Sequence, residues 1–186
     1  AFNHQILSII GTSGVVSYTV MTYVYNLVLM VFVGIAQGCQ PLVSYAVGQQ
    51  DSKTIKLVYR YGLTAVALAS VLCFGGCWIF TPQIVSVFIR PQETALFGST
   101  VAAFRLYSFC FLIMGYNVLT SGFFVALAKP KAALTLSMAR GIVVILICLF
   151  VMSSAFGALG IWLTPTVSEG LCLILSFILL IKVKSR

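Results

Sequence analysis

Long apolar runs separated by short polar breaks make up most of the chain, and they predict transmembrane helices. Residues 1–50 contain no Lys, Arg, Asp or Glu, and their one clear polar break is Gly11-Thr12-Ser13-Gly14. A helix needs about 20 apolar residues to cross the hydrocarbon core of a bilayer. The runs therefore predict an all-α membrane protein, a polytopic helical bundle with five full transmembrane helices and a truncated first one. The predicted spans lie near residues 1–10 (partial), 15–48, 57–80, 100–127, 132–153 and 159–181.

Two features of this pattern shape the prediction. The first apolar run has ten residues before its break, which is about 15 Å of helix and half of a crossing. Because the sequence also begins without Met, we interpret it as part of a longer protein, starting within a helix. The apolar stretch 141–181 is too long for one crossing, and its small and polar residues at 153–160 predict a break between two spans.

The composition supports a membrane protein and excludes several other classes. Hydrophobic residues make up 61% of the chain and charged residues 8%, whereas soluble domains have about 25% charged residues. A soluble enzyme, a nucleic-acid-binding module and a disordered chain are thereby excluded. The net charge of +8 does not indicate a nucleic-acid partner, because the basic residues lie at the edges of apolar runs.

The basic residues also predict an orientation. Loops on the cytoplasmic side of a membrane are enriched in Lys and Arg. Arg90 and Arg105 fall on one predicted side, and the other nine basic residues fall on the opposite side, so we expect a cytoplasmic C-terminus. These nine are Lys53, Lys56, Arg60, Lys129, Lys131, Arg140, Lys182, Lys184 and Arg186.

No pattern in the sequence indicates an enzyme or a metal site. The six cysteines lie in apolar runs and lack the spacing of metal ligands. The chain also lacks an HExxH motif, a Ser/His pair and paired intramembrane aspartates. We therefore predict a protein that is not an enzyme and that has no cofactor.

Glu169 is the principal candidate for function, because an ionisable side chain at membrane depth is costly. It lies 12 residues before Ile181, about 18 Å along a helix and hence near the bilayer midplane. With Thr166, Cys172 and Ser176 it forms a polar stripe that should face the bundle interior. Two interpretations remain open: a carboxylate that responds to protons, cations or a cationic substrate, and a structural acid that is hydrogen-bonded between helices.

Other polar side chains at membrane depth complete the candidate ion and substrate pathway. The amides in the second predicted helix either bond between helices or line a cavity. A Tyr-Asn pair marks the fourth, and an Asn-His pair lies in the truncated first helix. These candidates are Asn3, His4, Gln37, Gln40, Tyr116 and Asn117.

Several motifs together resemble the C-terminal lobe of multidrug and toxic compound extrusion (MATE) transporters of the prokaryotic type. The family pattern Gly-x-x-Gln-Gly-x-Gln-Pro-Leu-x-x-Tyr, followed by a basic loop, is similar to the sequence from residue 34. Further segments resemble a connector, the fourth helix of this lobe with its loop, and the last helix. The matching segments are GIAQGCQPLVSYAVGQQD at 34–51, VSVFIRPQET at 85–94, FRLYSFCFLIMGYNVLTSGFFVALAKPKAA at 104–133 and AFGALGIWLTPTVSEGLCLIL at 155–175.

The resemblance implies one six-helix lobe of a twelve-helix transporter. Its partners would be the N-terminal lobe of the same protein, the lipid bilayer of a bacterial plasma membrane, and small organic cations. Entry of H⁺ or Na⁺ would drive the export of cationic, often aromatic, drugs. Some family members place coupling carboxylates in the first and fourth helices of this lobe, where this chain offers Asn3, His4, Tyr116 and Asn117. The coupling acid would then be Glu169 or lie in the other lobe.

Two alternative functions are considered. A lipid-linked oligosaccharide or polysaccharide flippase of the same superfamily needs cationic side chains for a pyrophosphate group. Arg105 and Arg140 are expected near span ends rather than at the midplane, so the sequence favours drug export. A purely structural membrane protein is the other alternative.

Overall fold

The computed structural model describes residues 2–184, except for the side chain of Lys184, as an assembly of helices. No β-strand occurs among the described residues, and the all-α prediction is confirmed. Ala1 of the predicted partial span and Arg186 of the basic set lie outside the described residues. The helices are α1 Phe2–Ile9, α2 Thr12–Gly48, α3 Ser52–Ile79, α4 Thr81–Ser86, α5 Thr94–Ser108, α6 Phe111–Ala126, α7 Pro130–Met138, a π-helical turn Ala139–Val143, and α8 Val144–Lys184.

Three helical segments of the described chain are long and apolar enough to cross a membrane. They are Thr12–Gly48, Ser52–Ile79 and Pro130–Val183. Helices α5 and α6 meet at a bend of 43° and form a fourth candidate if they are taken as one broken span. The division of the chain into individual membrane crossings stays a prediction.

Helix α8 is not straight, because the chain reverses direction at Gly157. This residue has φ 55° and ψ −130°, a conformation outside the helical region. Arg140 and Glu169 would lie about 43 Å apart along a continuous helix, yet their side chains are 3.9 Å apart. Residues 130–156 and 158–184 therefore form two antiparallel arms, which we call the first arm and the second arm. The break predicted within residues 153–160 is confirmed.

Close helix contacts define the main hydrophobic core. Phe32 of α2 is fully buried between α3 and α6. A Cβ atom on Gly115 would lie 2.6 Å from the Phe32 ring and 2.8 Å from Val66. Only a glycine at this position lets the three helices approach so closely. Ile161 and Trp162 of the second arm complete the same core.

The α2–α3 and α6–α7 connections share one turn geometry. Gln50 and Ala128 adopt positive φ angles of 56° and 54°, and the next residue in each turn, Asp51 or Lys129, donates its N–H to a carbonyl five residues earlier at 2.9 Å. This is the Schellman arrangement that ends helices. Asp51 then caps α3, because its carboxylate accepts hydrogen bonds from the amides of Lys53 and Thr54. The bonds from the Thr54 hydroxyl and amide hold the pKa of Asp51 below its ordinary value.

The helix arrangement allows the predicted membrane orientation to be tested. Lys56 and Lys129 line one groove, so the loops that carry Lys53 and Lys131 lie at the same end. Helix α3, about 42 Å long, separates this end from the segment that contains Glu93. Single cysteines introduced at these positions into a cysteine-free protein should react from the cytoplasmic side at Lys53 and Lys131, and from outside at Glu93. Labelling of Lys53 and Lys131 from opposite sides would contradict the prediction.

Candidate functional site

A directed hydrogen-bond chain links α6 to the second arm at Glu169. The Asn117 amide nitrogen donates to the Glu169 carboxylate oxygen Oε2 at 2.7 Å and to the Glu169 main-chain oxygen at 2.9 Å. The Asn117 side-chain oxygen accepts the hydroxyl of Ser176 at 2.8 Å. All three side chains are buried, and Glu169 is 4% exposed.

The orientation of the Asn117 amide is fixed by chemistry. A main-chain carbonyl can only accept a hydrogen bond, so the amide atom that faces the Glu169 carbonyl must be the nitrogen. The same nitrogen then also donates to the carboxylate. The other carboxylate oxygen, Oε1, faces Arg140, with a distance of 3.9 Å to the Arg140 Nε atom. Both oxygens of Glu169 therefore face N–H donors.

Arg140 lies beside Glu169, and the expectation that it sits near a span end is wrong. It is ten residues beyond Pro130, about 15 Å into the first arm, and its side chain is 22% exposed. The π-helical turn Ala139–Val143 contains it, and such turns often occur at functional sites. Within the described residues, its buried Nη1 atom has no hydrogen-bond partner. Arg140 is thus a cation in the bundle interior. The sequence disfavours a flippase because it predicts no interior cation, and that reason does not hold.

The polar stripe of the second arm faces the bundle interior as predicted. Glu169, Cys172 and Ser176 are buried. The Thr166 hydroxyl oxygen is buried as well and has no hydrogen-bond partner among the described residues. Helical spacing therefore located this part of the site from the sequence alone.

Two cavities meet at Arg140. The first has a volume of about 280 Å³. Gly122 leaves room in its wall for the Gln40 side chain, because a Cβ atom on Gly122 would come within 3.0 Å of the Gln40 amide nitrogen. The second, of about 180 Å³, contains three tyrosines and Glu169. Arg140 lines both and so separates a cavity that contains amide and hydroxyl groups from an aromatic one. Polar residues of the first cavity are Gln37, Gln40, Asn117, Ser121, Ser137 and Arg140, and the second is lined by Tyr18, Tyr25, Tyr107, Arg140, Pro165 and Glu169 among others.

Three of the predicted site residues lie elsewhere. Asn3 and His4 are exposed on α1, whereas their neighbour Gln5 turns inward and donates to the Ser153 hydroxyl at 2.9 Å. Tyr116 packs against the hydrophobic core, because adjacent residues on a helix point in different directions. Gln37, Gln40, Asn117 and Glu169 are the candidates that line the two cavities.

Sequence reasoning missed Arg140 and the tyrosines. Arg140 falls eight residues inside the predicted span 132–153. This position within a span could have indicated an interior cation. Tyr25 and Tyr107 come from α2 and α5, which are far apart in sequence, so no local pattern unites them. Among the described residues, no group of three or more His, Cys, Asp or Glu side chains could hold a metal ion.

Comparison with known proteins identifies the family. The family model described as MatE matches residues 2–150. The chain belongs to the MatE family. Since this match covers most of the chain, the resemblance noted in the sequence is confirmed, and so is the assignment to a family of membrane transporters.

Individual MatE relatives are distant in sequence and close in fold. Multidrug export protein MepA of Staphylococcus saprophyticus is 20% identical over 176 residues, which are 95% of this chain and 38% of that protein. A solved MATE transporter in an outward-facing conformation matches with a TM-score of 0.87 at 17% identity, over 95% of this chain and 40% of its own. An inward-facing MATE structure gives 0.87 at 18% identity, over 95% and 41%. The chain thus spans about two fifths of the length of these MatE proteins.

The hydrogen-bond chain at Asn117 should contribute to the stability of this MatE lobe. Asn117→Leu keeps the side-chain size but leaves the Ser176 hydroxyl and the Glu169 carboxylate without their amide partner. Loss of a buried partner costs about 1–3 kcal/mol, so we expect a lower unfolding free energy and melting temperature for the purified protein in detergent.

The matched control is Ser121→Ala on the same helix, whose hydroxyl bonds to that of Ser137 at an exposed position. Its effect should stay within about 0.5 kcal/mol. Equal melting temperatures for Asn117→Leu and the parent would contradict the prediction.

Proposed function

We propose that this chain is the C-terminal lobe of an exporter that removes cationic and aromatic drugs in exchange for H⁺ or Na⁺. The observation that carries the proposal is the buried carboxylate of Glu169, which lines the second cavity and lies beside Arg140, the residue that lines both cavities. The named function of the MepA relative as a multidrug export protein supports drugs as the substrate class. The cytoplasmic C-terminus and the bacterial plasma membrane are part of this proposal.

The second cavity has the chemistry for an aromatic cation. Tyr18, Tyr25 and Tyr107 line it together with Glu169. Tyrosine rings attract cations over their faces and pack against flat rings. A positively charged aromatic drug would therefore meet both an aromatic wall and a carboxylate.

A proton and a cationic drug would compete for Glu169. The charged carboxylate attracts a cation, whereas the protonated acid does not. Arg140 faces the same carboxylate, so it competes with the drug for the charged form. Within the described residues, phenols and thiols also interact electrostatically with Glu169: Tyr25, Tyr107, Cys110 and Cys172.

The donor geometry at Glu169 supports H⁺ over Na⁺ at this position. Hard cations such as Na⁺ take several oxygen ligands. The Asn117 nitrogen and the Arg140 guanidinium face the two carboxylate oxygens, and both are N–H donors. A proton needs only one carboxylate oxygen and no cage of oxygen ligands, although it binds against two donors that stabilise the charged carboxylate.

Drug export remains better supported than lipid-linked sugar flipping, although Arg140 is an interior cation. The relatives are named multidrug export proteins, and the cation faces a carboxylate rather than standing alone. A pyrophosphate would have to displace Glu169 from Arg140 against charge repulsion.

The Glu169→Gln variant tests the coupling role in a complete two-lobe transporter that contains this chain. Glutamine preserves the shape and keeps one acceptor oxygen for the Asn117 nitrogen, but it removes titration and turns an NH2 group toward Arg140. We expect normal expression, strongly weakened drug export in resistance and efflux assays, and drug binding that no longer depends on pH. Glu93→Gln, in the exposed connector before α5, is the matched control and should export normally. Near-normal export by Glu169→Gln with its pH dependence intact would assign Glu169 a structural role only.

A second test concerns the need for both lobes. Alternating access requires two repeats or bundles that move against each other around a shared site. This lobe matches outward-facing and inward-facing structures equally well, which supports movement of the lobe as one body. Residues 1–186 expressed alone should therefore give no drug resistance, whereas the two-lobe protein should. Robust efflux by residues 1–186 alone would contradict the proposal.

A further inference from the structure

Two grooves flank the last turns of α8 at the basic end of the bundle. The larger, of about 520 Å³, lies between the ends of α2, α3, α6 and α8. The smaller, of about 380 Å³, lies between the α6–α7 turn and α8. Lys129 and Val183 line both, so the two grooves are neighbours. We call them the basic-end grooves.

The walls of the larger groove are mostly apolar. One of its two basic residues lies on a helix and the other in a turn. Lys56 extends from the second turn of α3, and Lys129 follows the left-handed residue Ala128 in the α6–α7 turn. The smaller groove adds Lys131 and Lys182. Apolar residues that line the larger groove are Val47, Ile55, Phe123, Leu127, Leu180, Ile181 and Val183.

The charge at this end is strongly one-sided. Asp51 is the acidic residue here, and its carboxylate already caps α3 through the amides of Lys53 and Thr54 and the Thr54 hydroxyl. The ion pair of Glu169 with Arg140 lies deep in the arms and not at this end. A positive field therefore surrounds apolar grooves at the end of the bundle where α2, α6 and α8 end and α3 begins. The basic side chains at this end are Lys53, Lys56, Arg60, Lys129, Lys131 and Lys182.

We propose that the basic-end grooves bind an anionic phospholipid, with its phosphate between Lys56 and Lys129 and an acyl chain along the apolar wall at Leu180 and Ile181. Basic pockets between transmembrane helices on the cytoplasmic side are suited to anionic lipid headgroups. The long apolar walls favour a lipid over a free phosphate, which would gain nothing from them. The uniform positive charge likewise favours an anionic headgroup over a zwitterionic one. This inference does not depend on which substrate the protein exports.

Native mass spectrometry of the full chain in detergent tests the proposal with dioleoyl phosphatidylglycerol, dioleoyl phosphatidylcholine and inorganic phosphate as separate probes. Each basic residue near a membrane surface contributes about 1 kcal/mol to attraction of anionic lipid, or about fivefold in affinity. The double variant Lys56→Gln/Lys129→Gln should therefore bind phosphatidylglycerol about 25-fold more weakly, and phosphatidylcholine unchanged.

Three further double variants separate a local site from bulk charge and from misfolding. Lys53→Gln/Arg90→Gln removes the same net charge outside the grooves and should weaken phosphatidylglycerol binding by no more than about fivefold, because Lys53 adds to the charge of this end whereas Arg90 lies in the connector at the other end. Lys56→Arg/Lys129→Arg keeps both charges and should retain binding. Leu180→Asn/Ile181→Asn should weaken binding of the lipid by removing its apolar wall.

Three outcomes would overturn the proposal. An equal loss in the Lys53→Gln/Arg90→Gln control would indicate diffuse surface charge. Equal affinity for phosphatidylglycerol and phosphatidylcholine in the parent would show that no anionic headgroup is recognised. Binding of inorganic phosphate that depends on Lys56 and Lys129 as strongly as lipid binding does, with no effect of the asparagine variant, would indicate a free-anion site.

Discussion

The arrangement of the lobe depends on satisfying one carboxylate away from water. A buried charge is costly unless it is paired and hydrogen-bonded, and Glu169 obtains its partners from two other elements. Asn117 comes from α6 and Arg140 from the first arm. Ser176, on the same arm as Glu169, donates to Asn117 in turn. These contacts fix the rotation of α6 and the register of the two arms. The same contacts determine the positions of both cavities. Arg140 separates the two, Asn117 lines the first and Glu169 lines the second.

Fold class, the break at Gly157 and the inward-facing stripe were predictable because each rests on a local pattern. Run length indicates membrane helices, small residues mark a break, and a spacing of three to four residues places Glu169, Cys172 and Ser176 on one face. Arg140 was misplaced because its nearest charged neighbours in the sequence are Lys129 and Lys131, at the start of the first arm. In the structure Arg140 faces Glu169, which lies 29 positions later in the chain. The reversal at Gly157 brings the two together, and the spacing of residues in the sequence does not show it.

The remaining candidate residues show what helix periodicity can and cannot predict about the site. It identified polar residues at membrane depth but not which of them face each other. Gln37 and Gln40 line a cavity because Gly122, on another helix, leaves room for the Gln40 amide. Asn3 and His4 point outward because Ile6 on the same short helix is the residue that the core buries. Facing pairs of this kind depend on helix packing, and packing is set by contacts between distant residues.

The sharp reversal at Gly157 also bears on how the protein enters a membrane. Away from its ends, each arm carries one charged side chain, Arg140 or Glu169, which costs about 3 kcal/mol at the centre of an inserting helix. Because a single residue joins the arms, they can enter as one hairpin in which Arg140 and Glu169 already oppose each other. The translocating machinery would then accept a nearly neutral pair in place of two isolated charges. The turn that shapes the mature site thus also lowers the barrier to its biogenesis.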